Sequence, residues 1–186
     1  MKHDLVVGGS GMLAGLCKAL AARGRTVSVV GRTRWKLDKL ASAGGGLIHP
    51  LIVDYRFADR VPAEVEAAVA RHGPIERVVC WTHEEVSTSA PLQFGGYAST
   101  GFLHVMGSAA ADPAAPSKLQ GWRDQFSLAY PALPYRAVVL GFVQDAAIGH
   151  ARWLTHEEIS AGVKRALDSN ELLSIVGKVE PWSSRP

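Results

Sequence analysis

Glycines and small residues near the start of the chain stand at a spacing that suits phosphate binding. The run Gly8-Gly9-Ser10-Gly11-Met12-Leu13-Ala14-Gly15 lies between a short apolar strand and an amphipathic helix. Gly8 permits a tight turn, Gly11 lets backbone amides approach a pyrophosphate, and Ala14 lets the helix pack closely on the strand. The dipole of that helix would point at the phosphates. A turn that only reverses the chain is the alternative, but strand, spacing and helix together favour a nucleotide site.

The end of the second predicted strand carries positive charge instead of a carboxylate. Gly31-Arg32-Thr33-Arg34 stands where a site for NAD commonly offers Asp or Glu to the ribose hydroxyls. Arg32 can make paired, charge-assisted bonds to a 2′-phosphate, and its planar guanidinium can stack on adenine. The alternative is that Arg32 and Arg34 are solvated residues that open a helix, where positive charge is mildly unfavourable. The pattern favours NADP(H) over NAD(H) as the cofactor.

Strand-like apolar runs alternate with helix-period segments along most of the chain. The predicted strands are residues 5–7, 27–30, 47–53, 75–81, 102–106, 135–143 and 172–176. The predicted helices are residues 12–23, 35–43, 63–71 and 118–128, and one more that Thr155 and Glu158 begin as a capping box. The alternation predicts an α/β fold, a Rossmann-type doubly wound parallel sheet of about seven strands with helices on both faces. We expect one domain over residues 1–186.

Composition and charge limit the partners of the protein. The net charge of +3 is spread along the chain, so nucleic acid is not indicated and a small-molecule substrate is expected. No apolar run approaches the roughly 18 residues of a membrane span, and the first strand begins too early to leave room for a signal peptide. We therefore expect no membrane partner and a cytoplasmic location. The two cysteines, Cys17 and Cys80, have no metal-ligand spacing and are interpreted as buried reduced thiols.

These features together resemble the short-chain dehydrogenase/reductase family, with Asp54 ending the third strand after the glycine turn and the arginine. The run 72–79 is similar to the family's approach to its fourth strand, and Val105-Met106-Gly107-Ser108 resembles the fifth strand ending in the catalytic serine. Leu140-Gly141-Phe142-Val143 resembles the glycine turn after the sixth strand. The resemblance covers most of the chain. It implies that Asp54 contacts the adenine amino group and that residues 141–143 lie beside the nicotinamide.

The candidate cofactor contacts combine the glycine turn, the arginine segment and the strand ends that the resemblance indicates. They are Gly8, Gly9, Ser10, Gly11, Met12, Leu13, Arg32, Thr33, Arg34, Asp54, Tyr55, Trp81, Gly141, Phe142 and Val143. Trp81, like Trp122 and Trp153, is equally consistent with a core position or with a wall of an apolar substrate pocket.

The chain differs from the family in the residues that supply the proton for the reduction. Family members use a serine, a tyrosine and a lysine four residues beyond the tyrosine, which protonates the developing alkoxide. Lys118 has a plausible position after Ser108, but Ala114 stands four residues before it. No tyrosine of the chain has a lysine at that spacing. The family's usual proton path is therefore missing from this sequence.

Three residues remain as catalytic candidates: Ser108, Lys118 and His83. Ser108 would lie at the carboxyl end of the central strands, although a serine that caps a turn explains it as well. His83 follows the fourth strand and could titrate near neutrality, against the alternative of a surface histidine. Tyr97 and His150 could enter from loops.

The leading hypothesis is an NADP-dependent oxidoreductase that transfers hydride to a C=O or C=N bond of a small molecule. An imine would already carry the proton or charge that the missing tyrosine otherwise supplies. The alternatives are an NADP(H)-binding sensor or partner subunit without turnover, and a non-redox isomerase or lyase.

No metal site and no particular assembly are predicted. His83-Glu84-Glu85 and His156-Glu157-Glu158 lack the two histidines one helical turn apart that zinc chemistry on a helix requires. Residues 82–100 are predicted to be mostly loop, where family members usually place a long helix that builds their dimer. A homo-oligomer through another face stays open.

Overall fold

Two sheets form the β-structure of the computed structural model, which describes residues 2–83, 89–145 and 149–186. The strands, numbered along the chain, are β1 (His3–Val7), β2 (Thr26–Gly31), β3 (Ile48–Ile52), β4 (Ile75–Trp81), β5 (Gly101–Met106), β6 (Tyr135–Leu140), β7 (Phe142–Asp145), β8 (His150–Trp153) and β9 (Leu173–Val176). Seven of them form one sheet in the order β3-β2-β1-β4-β5-β6-β9, in which each neighbouring pair is parallel. β7 and β8 form a separate antiparallel hairpin.

Helices cover both faces of the large sheet. They are α1 (Ala14–Ala22), α2 (Arg34–Ser42), α3 (Val61–His72), α4 (Ala90–Gly95), α5 (Lys118–Ala129) and α6 (His156–Asp168), with short 3-10 helices at Ser108–Ala111 and Trp182–Ser184. One apolar cluster joins the sheet to α1, α2 and α6, and a second joins the other face to α3, α4 and α5. Helices on both faces bury the strands, which explains the continuous apolar runs in the sequence. The predicted doubly wound fold is confirmed.

The strand order places a crevice at the carboxyl ends of the central strands β1 and β4. β1 pairs with β2 on one side and with β4 on the other, and Val7 at its carboxyl end lies opposite both Val30 and Cys80. The connections from β1 and from β4 leave toward opposite faces, because α1 and α4 belong to different apolar clusters. Ligands of open parallel sheets bind at such a switch point.

Two local patterns of the sequence form as predicted. Thr155 and Glu158 make the capping box that begins α6, since each side chain accepts a hydrogen bond from the other residue's backbone N–H. Cys17 and Cys80 are free, buried thiols, and burial raises the pKa of the Cys17 thiol to about 12. In the described parts of the chain, no helix combines the length and the apolar character that a membrane crossing needs.

The sixth strand is shorter than predicted. The apolar run 135–143 predicts one strand, but β6 ends at Leu140 and Phe142 begins the hairpin strand β7. Gly141 separates the two strands, and a Cβ on this glycine would lie 2.0 Å from the carbonyl oxygen of Lys178. Phe142 also forms an antiparallel bridge with Lys178. The C-terminal segment therefore turns the chain out of the sheet at this point.

The segment 82–100, predicted to be mostly loop, contains the short helix α4. Pro91 stands in its first turn, and the rings of Phe126 and Tyr130 approach Gly95 so closely that a Cβ there would lie 2.5 Å from the Phe126 ring. Tertiary packing thus holds a helix whose six residues give little periodic pattern. Residues 84–88 of this segment, with Glu84 and Glu85, lie outside the described residues.

Candidate nucleotide-binding site

A cleft of about 310 Å³ opens at the switch point between β1 and β4. Its walls come from the turn after β1, the ends of β2, β3 and β4, and the start of α6. The lining residues are Gly8, Ser10, Gly11, Met12, Val30, Gly31, Arg32, Thr33, Lys36, Val53, Asp54, Tyr55, Trp81, His83 and His156. Its size and its mixed apolar and polar lining are typical of a small-molecule site.

The turn after β1 requires glycine at its first position. Gly8 has φ +76°, and a Cβ there would lie 2.8 Å from the carbonyl oxygen of Trp81. The Gly8 N–H donates a hydrogen bond of 3.1 Å to the carbonyl of Val30, which ties the turn to the end of β2. Since only glycine combines this φ with so close an approach, the turn is built to bring backbone into the crevice.

The N-terminus of α1 faces the cleft with its partial positive charge uncompensated by local side chains. Leu13 occupies the N-cap position without a side-chain capping bond, and the first turn carries no acidic residue. Gly11 lines the cleft, and a Cβ on it would meet no atom within 4 Å. An anion can therefore approach the backbone amides at this end of the helix without a steric barrier from Gly11.

Helix α6 holds the turn from its other side. The Ser160 hydroxyl donates a hydrogen bond of 2.7 Å to the main-chain carbonyl of Met12. Gly15 lets α6 pack this close to α1, because a Cβ at this position would lie 2.9 Å from the Ser160 side chain. His156, the first residue of α6, also lines the cleft.

The end of β2 and the first turn of α2 bring cations to the cleft. Arg32 and Lys36 both line it and both are exposed to solvent, with Thr33 between them. The first turn of α2 has no acidic residue. Positive charge at this strand end is therefore available to an anionic ligand.

Asp54 and Tyr55 form the wall at the end of β3. The Arg56 guanidinium donates hydrogen bonds to the Asp54 carboxylate, from Nε at 2.8 and 2.9 Å and from Nη2. These bonds lower the pKa of the Asp54 carboxyl. The Tyr55 hydroxyl accepts a hydrogen bond of 3.2 Å from the backbone N–H of His83. The ends of β3 and β4 are thus connected across the cleft, and Asp54 is ionised at neutral pH.

Trp81 bounds the cleft on the side of β5. Its Cδ1 atom would lie 2.9 Å from a Cβ on Gly8, and its Cη2 atom 3.9 Å from a Cβ on Gly107. The indole therefore extends from the turn after β1 to the residue that follows β5. This position makes Trp81 both a core contact and a pocket wall, which combines the two interpretations that its sequence allowed.

Several of the predicted cofactor residues are described by the structure but are not part of the cleft lining. Gly9 and Leu13 are buried beneath the turn, where a Cβ on Gly9 would meet Val29. Arg34 begins α2 and is exposed, but it is not part of the cleft lining. Residues 141–143 lie at the start of the hairpin, next to the C-terminal segment. Their predicted contact with a nicotinamide stays a prediction.

Of the catalytic candidates, His83 alone lines the cleft. Ser108 is buried and begins the 3-10 helix after β5, and Lys118 begins α5. Tyr97 packs against the apolar cluster on the face of α3 and α5, and His150 is exposed at the start of β8. The catalytic roles of Ser108, Lys118 and His83 stay predictions.

Five lining residues were not among the predicted contacts: Val30, Gly31, Lys36, Val53 and His156. Lys36 could have been found from the sequence, because a residue four positions after Arg32 on a helix start falls on the same side. His156 could not, since its position depends on the packing of α6 against α1, which no local pattern shows.

The donors of the cleft fit a phosphorylated nucleotide. A glycine turn and an uncapped helix N-terminus contribute backbone N–H groups, and Arg32 and Lys36 contribute positive charge. Among the described lining residues, Asp54 carries the carboxylate, which is paired with Arg56. A nucleotide with phosphate at both ends of its adenosine part would find positive charge at each.

Comparisons with known proteins identify the architecture. No protein-family model matches the chain, and no curated protein matches it. A short-chain dehydrogenase of Bacillus anthracis superimposes with TM-score 0.72 at 18% identity, over 95% of each chain. An alcohol dehydrogenase of the archaeon Thermococcus sibiricus, complexed with 5-hydroxy-NADP, gives 0.67 at 15% identity over 96% of each chain.

A third similar structure is a metagenomic short-chain oxidoreductase in complex with NADP. It gives TM-score 0.70 at 16% identity and covers 95% of this chain and 96% of its own. The likeness thus runs over nearly the whole chain in each case. From the parallel sheet, its strand order and these matches, we conclude that the chain has the fold of the short-chain dehydrogenases and reductases.

Proposed function

We propose that the protein binds NADP(H) in the cleft and acts as an oxidoreductase that reduces a C=O or C=N bond of a small molecule. The observation that carries the proposal is the pair of cations, Arg32 and Lys36, beside the glycine turn. The segment 31–36 contains no carboxylate that would repel a 2′-phosphate. NADPH, when bound, supplies the hydride.

Each end of the cleft has a separate task in this proposal. Backbone amides around Gly11 and the N-terminus of α1 hold the diphosphate. The guanidinium of Arg32 makes charge-assisted hydrogen bonds to the 2′-phosphate, and Lys36 adds a second cation. Asp54 is ionised and can accept a hydrogen bond from the adenine amino group. Two proteins of similar fold have been solved with NADP or a derivative of it, which supports this choice of ligand.

The proton donor for the reduced group would come from outside the family's tyrosine and lysine pair. His83 lies at the end of β4 in the cleft lining and is exposed. Its imidazole can act as the proton donor if the substrate enters from the β4 side. An iminium substrate needs no such donor, because hydride transfer to its carbon gives a neutral amine directly.

The experiment that tests the cofactor compares the affinities of NADPH and NADH by isothermal titration calorimetry. We expect NADPH to bind at least about tenfold more tightly, because a bond between charged groups contributes about 1.5–3 kcal/mol. Arg32→Ala should remove most of this preference, because it should lower the affinity for NADPH and leave the affinity for NADH unchanged. Arg34→Ala is the matched control, since Arg34 lies two residues away outside the cleft lining. Equal affinity for the two cofactors in the unmodified protein would contradict the proposal.

A second candidate function is NADP(H) binding without turnover, as a sensor or a partner subunit. It is favoured by the alanine four residues before Lys118 and by the burial of Ser108. Absorbance of NADPH, followed with a panel of carbonyls and cyclic imines, separates the two functions. Turnover that falls in Ser108→Ala or His83→Ala supports the reductase, whereas firm binding with no turnover across the panel favours the sensor.

A further inference from the structure

Helix α6 adds a histidine, His156, to the lining of a cleft in which the sequence predicted the glycine turn as the phosphate-binding element. We propose that His156 binds the 5′-diphosphate of the bound nucleotide, opposite the 2′-phosphate end at Arg32. This inference rests on the proposed binding of NADP(H) and names an additional binding residue for that ligand.

The packing of α6 on α1 gives His156 its position. Ser160 donates its hydrogen bond to the Met12 carbonyl, so the face of α6 that carries Ser160 lies on the turn. His156 precedes Ser160 by four residues, which places both side chains on that same face, one helical turn apart. Met12 and His156 both line the cleft, so one helical turn from Ser160 toward the helix N-terminus leads from the Met12 carbonyl into the cleft.

The start of α6 is fixed before any ligand binds. The Thr155 N–H donates a hydrogen bond of 2.8 Å to the Glu158 carboxylate, which completes the capping box. Arg152 on β8 donates to Glu158 at 2.8 and 2.9 Å and to Asp145 on β7 at 2.8 Å. The hairpin and the helix start are therefore joined by one network. A helix start that is already fixed leaves less of the backbone to order when His156 binds a ligand.

The charges around His156 leave it available to an anion. Glu158, the nearer carboxylate in the network, is engaged by Arg152 and by the Thr155 N–H. Glu157 is exposed and is not part of the cleft lining. Helix α1, which begins next to Met12 in the chain, carries no acidic residue in its first turn. A diphosphate at this end would thus meet the α1 amides on one side and the imidazole N–H on the other.

The test uses three ligands that separate the two phosphate sites. NADPH carries both phosphate groups, ADP carries only the 5′-diphosphate, and adenosine 2′-monophosphate carries only the 2′-phosphate. NADPH binding is followed by its fluorescence, and the two smaller nucleotides are measured as competitors. The variant is His156→Gln, and Glu157→Gln is the matched control on the adjacent exposed residue.

We expect His156→Gln to weaken the binding of NADPH and of ADP about fivefold to tenfold. The affinity for adenosine 2′-monophosphate should be unchanged. Arg32→Ala should show the opposite pattern, with ADP spared, and Glu157→Gln should bind all three ligands at least as well as the unmodified protein. The inference is overturned if His156→Gln binds NADPH and ADP normally, or if it weakens all three ligands equally. Failure of the unmodified protein to bind NADPH would instead overturn the proposed function.

Discussion

The Ser160 hydroxyl donates to the main-chain carbonyl of Met12, 148 residues earlier in the chain. This hydrogen bond joins α6 to the turn that we propose binds the diphosphate. Ser160 is 5% exposed, so the Met12 carbonyl would lose a partner in a place that water reaches poorly. The bond therefore positions the turn, while Ser160 itself stays behind the cleft lining.

The variant Ser160→Ala should weaken NADPH binding several-fold although the residue does not line the cleft. Loss of a buried hydrogen bond that leaves one polar group unpaired costs about 1–3 kcal/mol of stability. Calorimetry with NADPH and urea unfolding measure the two effects. Ser174→Ala is the control, because Ser174 donates to Glu171 at the far edge of the sheet. If both serine variants bind NADPH as the unmodified protein does, Ser160 has only a structural role.

The variant Gly8→Ala should abolish NADPH binding and lower stability. The φ of +76° strains any residue with a Cβ, and that Cβ would lie 2.8 Å from the Trp81 carbonyl oxygen. Strain of this kind costs about 1–3 kcal/mol. Gly24→Ala separates strain from function, since Gly24 has φ +74° with no atom within 4 Å of an added Cβ. Gly24→Ala should lose stability by circular dichroism but keep its NADPH affinity, and equal loss of affinity in both variants would argue against a specific role of the turn.

Much of the fold could be predicted because its signals are local. The strand pattern, the glycine turn at Gly8 and the capping box of Thr155 and Glu158 each depend on residues within one element or its flanks. The position of Arg32 in the cleft lining could also be predicted, since this residue directly follows β2.

The remaining differences come from contacts between distant parts of the chain. The sixth strand ends early because the backbone at Lys178 occupies the space beside Gly141. His156 reaches the cleft only because α6 packs on α1, and no spacing in the sequence relates it to the glycine turn. Ser108 follows its strand as the pattern predicts, but the packing of the 3-10 helix buries it.

The variant Gly141→Ala should unfold the protein or cost more than about 3 kcal/mol. A Cβ at this position would lie 2.0 Å from the Lys178 carbonyl oxygen, and relief would break the bridge between Phe142 and Lys178. Gly121→Ala is the control within α5, where an added Cβ meets no atom within 4 Å and helix propensity favours alanine. It should stabilise the protein by up to about 1 kcal/mol in urea unfolding. A Gly141→Ala protein that is stable yet binds no NADPH would instead support the nicotinamide contact implied by the family resemblance.

Acid should destabilise the fold through a buried histidine on β5. His104 is 4% exposed, and its Nδ1 atom lies 2.8 Å from the Tyr135 hydroxyl oxygen, in hydrogen-bond contact. Burial lowers the pKa of His104 from 6.5 to about 4, so the folded protein keeps this imidazole neutral while the unfolded chain takes up a proton. The stability is therefore complete above the unfolded pKa and is lost as the pH falls from about 6.5 toward about 4. At about 1.4 kcal/mol per pH unit, the loss is on the order of 3 kcal/mol.

Urea unfolding between about pH 7 and pH 4.5 measures this dependence. His104→Gln should lower stability at neutral pH but flatten the acid slope. Some slope will remain, because desolvation also lowers the pKa values of His49 and His72 at the other end of the sheet. Tyr135→Phe removes the hydrogen bond and keeps the imidazole, so it should lower stability at every pH without changing the slope. An unchanged slope in His104→Gln would place the acid sensitivity in His49 and His72 or in the carboxylates, whose protonation below about pH 4.5 acts in the same direction.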